Sequence, residues 1–300
     1  MVPETHMRRP ARIAAALSSS LLLVSCDHLI VDPGAGRVSQ RGTVQVLYAG
    51  SLVELMEQKV GPTFSAATGY RFAGIAGGSA QLAEEVKSGL QRADVFVSAS
   101  PSIDLALEGT AQGNWVTWYL TFARAPLVLG YEARSRFAHA LKVNPWYKVV
   151  AAPGFRVGRT DPALDPKGQL TIEAMREAAA RTGDQTLLKL IAGSGNVFPE
   201  ETLLGRLEAG QLDAGFLYLD EAKAAGLSTV SLSPVSLSTT FTVTVLARAR
   251  NEAGALSFVH FLVGPEARRF LLSAGFELSS PPQVHGNLAP TSLVVTSARQ

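Results

Sequence analysis

The sequence predicts an α/β protein with a parallel sheet covered by helices on both faces. Short apolar strands alternate with helix-period segments, and three such strand-helix units fit between Val44 and Ser100. Of the 300 residues, 47% are hydrophobic and only 17% charged, enough apolar material for one large or two medium domains with full cores. The net charge of +2, from 27 basic and 25 acidic residues, excludes a bulk field for nucleic acid, so any anion chemistry must be local.

Before the folded region, Arg8, Arg9 and Arg12 precede the apolar run Ile13 to Val24, which is shorter than a bilayer-spanning helix. We read residues 1–26 as an export signal, with Met7 as an alternative start. The run ends in LLLVSC, and Leu23-Val24-Ser25-Cys26 resembles a bacterial lipobox, in which the cysteine is acylated. Cys26 is the only cysteine in the chain. An incidental buried thiol is the alternative, but several acyl chains on Cys26 would anchor the protein stably to the membrane. A twin-arginine route fits poorly, because Pro10-Ala11 follows Arg8-Arg9. Asp27 to Gly42 is rich in Gly, Pro and polar residues and reads as a tether. No later apolar run is long enough for a second membrane segment.

Val44 to Tyr48 is the first strand, and Leu52, Leu55, Met56 and Val60 follow on one face of a helix. Gly69 to Gly77 is a second strand with a glycine-rich end. Ser79 opens a helix carrying Leu82, Ala83 and Val86, with Gly89 placed to stop it. Ala93 to Ser100 is the third strand. In such sheets ligands sit at the carboxyl ends of the strands, where the helices begin. Gly50-Ser51 and Gly77-Gly78-Ser79 fall there. The glycines let the backbone approach a ligand closely, and the serines offer hydroxyls beside helix N-termini, a pattern suited to an oxyanion. Ordinary helix capping is the alternative for both serines.

The blocks YAGSL (48–52), GGSAQLAEEVKSG (77–89), ADVFVSAS (93–100), KVNPWYKVV (142–150), VGRTDPALDPKG (157–168) and FPEETLLGRLEAGQLDAGFLY (198–218) resemble the periplasmic molybdate/tungstate-binding proteins, most of all their tungstate-type branch. The likeness runs from Val44 to Phe276, and GRTDPALDPKG is its most diagnostic part. It implies a type II periplasmic binding protein fold, with two α/β lobes joined by two crossover strands, near Ala123 to Tyr131 and Thr239 to Ala247. Lobe 1 would be residues 43–122 plus 246–290, and lobe 2 residues 123–245. The oxyanion would lie in the cleft between them.

By the same resemblance, Ser51 and Ser79 donate from the first lobe, while Asp165, Glu200 and Tyr218 contribute from the second. Asp165 and Glu200 are the two carboxylates expected to approach the molybdenum or tungsten centre and raise its oxygen neighbours from four to six. Asp161 and Glu201 are the alternates, by proximity in sequence. Read without the resemblance, Asp165 is a turn residue before Pro166. Glu200 is then a first-turn glutamate over a buried face of Leu203, Leu204 and Leu207, and Tyr218 a strand-end aromatic. Arg124 and Arg159, the basic residues nearest the cleft segments, read as solvated or capping. The sequence departs from the family after Tyr218, where Asp220 and Glu221 replace positions that are often basic or hydroxylic, at an expected cleft entrance. The segment between Gly168 and Glu200 is also shorter than in the tungstate-type branch.

The resemblance implies a lipid-anchored, monomeric binding component of an ABC importer, outside the cytoplasmic membrane, with a permease as partner, tungstate or molybdate as cargo, and no cofactor. A receptor or adhesin of this fold for phosphate, sulfate, thiosulfate or a small organic acid is the second reading. An enzyme is the third. The chain has no GxSxG, P-loop or GxGxxG after a strand, and no histidine in a motif that would serve Ser51 as a base. His28, His139, His260 and His285 are scattered without zinc-ligand spacing.

Overall fold

Strands β1 (Thr43–Ala49), β2 (Arg71–Gly77) and β3 (Val95–Ser98) form a parallel set in the order β2-β1-β3. The computed structural model describes residues 41–286, 288–291 and 293. The export signal, Cys26 and the tether up to residue 40 lie outside the described residues. β1 is connected to β2 by a continuous helical segment, residues 50–68. It starts as a 3₁₀ turn at Gly50–Leu52, becomes α1 (Val53–Leu55), passes through a π turn at Met56–Val60 and ends as α2 (Gly61–Thr68). Leu52, Leu55, Met56 and Val60 are buried, as their spacing predicts, and Phe64 extends the same face. Helix α3 (Ser79–Lys87) then carries buried Leu82, Ala83 and Val86. After β3, α4 (Pro101–Leu105) has proline at its first position, where no intrahelical amide bond is lost.

The long strand β4 (Trp118–Tyr131) is buried along nearly its whole length. α5 (Ala138–Val143), α6 (Trp146–Val150), β5 (Val157–Thr160), α7 (Pro166–Thr182), α8 (Thr186–Ala192), β6 (Val197–Phe198), α9 (Glu200–Glu208), β7 (Ala214–Tyr218), α10 (Leu219–Ala224) and β8 (Ser228–Ser231) follow. β9 (Ser238–Val245), α11 (Glu252–Leu262), α12 (Pro265–Ala274) and β10 (Glu277–Gly286) come next.

The strand order is β2-β1-β3-β9-β4-β7-β5-β6, with β8 and β10 also paired to β4. The two outer portions are parallel, β2-β1-β3 on one side and β7-β5-β6 on the other. The middle is antiparallel: β9 runs against β3 and β4, and β4 against β7, β8 and β10. β4 serves both portions. Its residues 118–126 pair with β9 and β10, and residues 127–131 with β7 and β8. Parallel strand-helix units therefore occur twice, and the strand they share sets their carboxyl ends facing one crevice.

Residues 39–300 form one compact unit, and all three hydrophobic clusters lie within it. This unit carries its own core. Phe241 links its parts, with ring centroids 6.4 Å from Phe122, 5.8 Å from Tyr218 and 5.4 Å from Phe276.

Across the crevice the two portions touch through backbone. The Leu164 carbonyl accepts from the amides of Ala80 and Gln81, each at 3.1 Å. A Cβ on Gly78 would lie 2.5 Å from that carbonyl oxygen, and one on Gly50 would lie 2.4 Å from Glu200 Cγ. Glycine is required at both positions because the opposing surface comes too close for a side chain. Gly78→Ala is expected to wedge the crevice open, since its obstacle is backbone and cannot swing away. Small-angle scattering should give a larger radius of gyration for the variant than for the parent; an unchanged radius would contradict the contact.

Candidate functional site

The N-terminal ends of α3, α7 and α9 converge on the crevice, and each brings a polar side chain. Helix N-termini present unpaired amides and the positive end of the helix dipole. Ser79 is the first residue of α3 and is fully buried. Its Oγ accepts from the Ala99 amide at 3.1 Å, which leaves its own proton free to donate. Ser51 sits in the 3₁₀ turn after β1, buried, and its Oγ has no hydrogen-bond partner. Neither serine is the N-cap of its helix. Ala49 and Gly78 hold those positions, and neither makes a side-chain capping bond.

Asp165 is the N-cap of α7. Its Oδ1 accepts from the Lys167 amide at 3.1 Å, while its buried Oδ2 is unpartnered. Capping thus occupies only one oxygen of the carboxylate. Asp161 is half-buried and closes the preceding turn instead, accepting from the Ala163 amide at 2.9 Å. Glu200 opens α9 and is buried, with Leu203 and Leu207 beneath it and Leu204 only partly covered. Its Oε1 takes a bond from Lys167, and its Oε2 has no partner. For Glu201 only its place, next in α9, is described. Tyr218 ends β7, 1% exposed, and the side chain within hydrogen-bonding reach of its hydroxyl is that of Thr239. It is a core residue at the crevice floor, not a surface aromatic.

The residue that holds this group together is Lys167, which sequence reasoning passed over within the Asp-Pro-Lys-Gly turn. Its ammonium is fully buried, 2.9 Å from Glu200 Oε1 and 2.7 and 3.0 Å from the two oxygens of Glu221. It also lies 5.6 Å from the centre of the Tyr218 ring. Burial works against its charge, but the surrounding Glu200, Glu221 and Asp165 carboxylates outweigh that and raise its pKa. Glu221 in turn accepts from the Tyr218 amide at 3.3 Å. Of the two acids expected to affect the cleft entrance, Glu221 bonds Lys167, and Asp220 lines a cavity beside Ser51. Both are buried in the floor, because the first turn of α10 folds inward behind Tyr218.

The electrostatics are those of a site with too many acids for its one cation. Burial raises the Glu200 pKa well above the usual carboxylate range. Asp165 adds to this by its charge and by lying within hydrogen-bonding reach, while Lys167 opposes it. Burial and the Glu221 charge push Asp220 up to about 8. The Tyr218 hydroxyl is raised by burial and by the Asp165, Glu200 and Glu221 charges. Arg159 does not help: its buried guanidinium donates to the Thr160, Ile191 and Gly193 carbonyls, and Arg124 points outward to Ser238 Oγ at 2.5 Å. Ser51 and Asp220 line a cavity of about 210 Å³ together with Lys59 and Lys223.

A match to the family model of bacterial extracellular solute-binding proteins covers residues 44–277. A putative ABC transporter molybdenum-binding protein of Haloferax volcanii is 29% identical over 283 residues, covering 86% of this chain and 89% of that protein. A molybdate/tungstate-binding protein of Thermococcus kodakarensis is 24% identical over 270 residues, covering 73% and 75%. Among solved structures, the periplasmic molybdate-binding protein of Azotobacter vinelandii superposes with a TM-score of 0.63 at 22% identity, covering 79% of this chain and 99% of its own. The sulfate-binding protein of Mycobacterium tuberculosis also scores 0.63, at 16% identity, covering 80% and 88%. These two likenesses establish the type II periplasmic binding protein fold.

Two predictions follow from the buried charges. Lys167→Met should cost about 3 to 5 kcal/mol, because it strands two buried carboxylates, lowering the melting midpoint by on the order of 10 °C in calorimetry. Asp220 titrates from an ordinary value when unfolded to about 8 when folded. Between those values the folded state holds a proton that the unfolded state has lost, so stability falls as pH rises from about 4 to about 8. Asp220→Asn should flatten that slope in denaturant titrations at several pH values. The match over residues 44–277 and the fold together place this chain in the family of bacterial extracellular solute-binding proteins.

Proposed function

We propose that the protein captures molybdate or tungstate in the crevice and delivers it to the permease of an ABC importer. The observation that carries this reading is the set of buried polar atoms that the fold leaves unsatisfied on both sides: Ser51 Oγ from one, and from the other Asp165 Oδ2 and Glu200 Oε2, on two carboxylates that lie within hydrogen-bonding reach of each other. Buried polar atoms without partners cost free energy, so their clustering argues for a ligand that satisfies them. Ser51, Ser79 and Tyr218 donate to the oxyanion oxygens. Asp165 and Glu200 approach the metal centre.

The carboxylates select among oxyanions. At an effective dielectric of about 20, two unit charges about 4 Å apart interact by roughly 4 kcal/mol, so a dianion entering beside two carboxylates is strongly repelled. Hexavalent molybdenum and tungsten are hard centres large enough to accept carboxylate oxygens as extra ligands, which offsets the repulsion. Sulfate has no such bond to offer and meets only the repulsion. The relatives described as binding molybdenum, molybdate or tungstate support the same choice of cargo.

Capture proceeds by closure. β4 and β9 are the proposed crossover strands, joining lobe 1 (43–122 and 246–290) to lobe 2 (123–245). Only the closed arrangement lets donors from both lobes reach one ligand, so binding draws the lobes together. No bond in the cargo need be made or broken. On this reading the protein is an exported monomer, lipid-anchored through Cys26, and works without a cofactor.

Calorimetric titration with tungstate, molybdate, sulfate and phosphate tests the reading. Tungstate and molybdate should bind far more tightly than the others, and Asp165→Asn combined with Glu200→Gln should weaken them by about a hundredfold or more, equivalent to roughly 3 kcal/mol. Sulfate or phosphate binding as tightly as molybdate would assign the site to another oxyanion.

A further inference from the structure

At the opposite ends of β1 and β3 from Ser51 and Ser79, a separate cavity of about 620 Å³ is lined by Lys87, Arg92, Arg248 and Arg250. The one acid in its lining, Asp94, is consumed by the fold. Its Oδ1 accepts from the amides of Arg250 and Asn251 at 2.8 and 2.9 Å, and its Oδ2 from the Gln45 amide at 2.9 Å. Lys87 pairs with Glu84 at 2.8 Å. Arg92, Arg248 and Arg250 are exposed, and among the described residues none of them forms a salt bridge. Arg248 lies flat on Trp115, 3.8 Å from the ring centre, which holds its guanidinium at the rim.

Two further features indicate what this basic face meets. Leu90, in the turn between α3 and β3 and flanked by the lining residues Gly89 and Gln91, is 73% exposed. An exposed leucine amid arginines and a tryptophan has the composition of surfaces that rest in the headgroup layer of a bilayer. Thr43, the first residue of β1, also lines the cavity, so the described chain begins at this face.

We propose that this face docks on the anionic membrane surface, with Arg92, Arg248 and Arg250 contacting lipid phosphates and Leu90 entering the headgroup layer. The crevice plays no part in it, so its failure would leave the oxyanion reading untouched, and the reverse holds too. The test uses residues 39–300, the unit with its own core, in sedimentation with phosphatidylcholine vesicles with and without phosphatidylglycerol. Binding is expected only with phosphatidylglycerol, and it should fall with added salt. Arg92→Glu, Arg248→Glu and Arg250→Glu together should weaken it by about tenfold or more. Leu90→Ser should weaken it severalfold, with melting midpoints confirming that both variants are folded. If the triple variant does not fold, Leu90→Ser and the salt series decide. Equal binding to neutral vesicles, no binding to either, undiminished binding by the folded variants, or displacement by millimolar inorganic phosphate at constant ionic strength would each overturn the proposal. The last would assign the cavity to a soluble anion.

Discussion

The fully buried ammonium of Lys167 is the constraint on which the crevice floor depends. It bonds Glu200 at the start of α9 and Glu221 in the first turn of α10, while its own backbone amide is capped by Asp165 at the start of α7. Three helix starts are thereby tied to one point. Breaking such a group costs more than it contributes as a net stabiliser, because the partners left behind are charged and dry. Its value is positional. With Glu200 Oε1 and both Glu221 oxygens held by the lysine, the atoms left over are Glu200 Oε2 and Asp165 Oδ2.

That arrangement sets a charge problem whose solution defines the ligand. One lysine faces Asp165, Glu200 and Glu221, with Asp220 behind them, and the helix N-termini add only fractions of a positive charge. A site meant for an anion held by charge alone would carry an arginine here. Arg159, the nearest candidate in sequence, spends its guanidinium on backbone carbonyls. In the proposed function, bonds from carboxylate oxygen to a metal centre replace the missing positive charge. The backbone contacts of Gly50 and Gly78 then make the closed crevice narrow.

Much of this was legible in the sequence, because it is local. The strand ends at Gly50 and Gly77 and the buried faces of the helical segment from Leu52 to Val60 and of α3 are written in spacing and glycine placement. Ser51 and Ser79 stand out for their place after strands, where capping is an equal explanation in sequence; the structure puts Ser51 two residues and Ser79 one residue past the N-cap. Lys167 was not legible. A lysine in the first turn of a helix ordinarily reads as solvated, and the partners that bury it lie 33 and 54 residues away. The inward turn of Asp220 and Glu221 was hidden for the same reason: acids at a helix start look exposed until tertiary structure supplies a buried cation. The antiparallel seam of β4 and β9 likewise depends on pairings between distant segments.

In the proposed function, carboxylate oxygens bond the metal of the captured oxyanion. X-ray absorption at the tungsten edge on the tungstate complex tests it most directly. Six oxygen neighbours are expected, four at short and two at longer distance, with the longer pair lost when Asp165 and Glu200 are replaced by their amides. A four-coordinate, undistorted tungstate in the unaltered protein would contradict it.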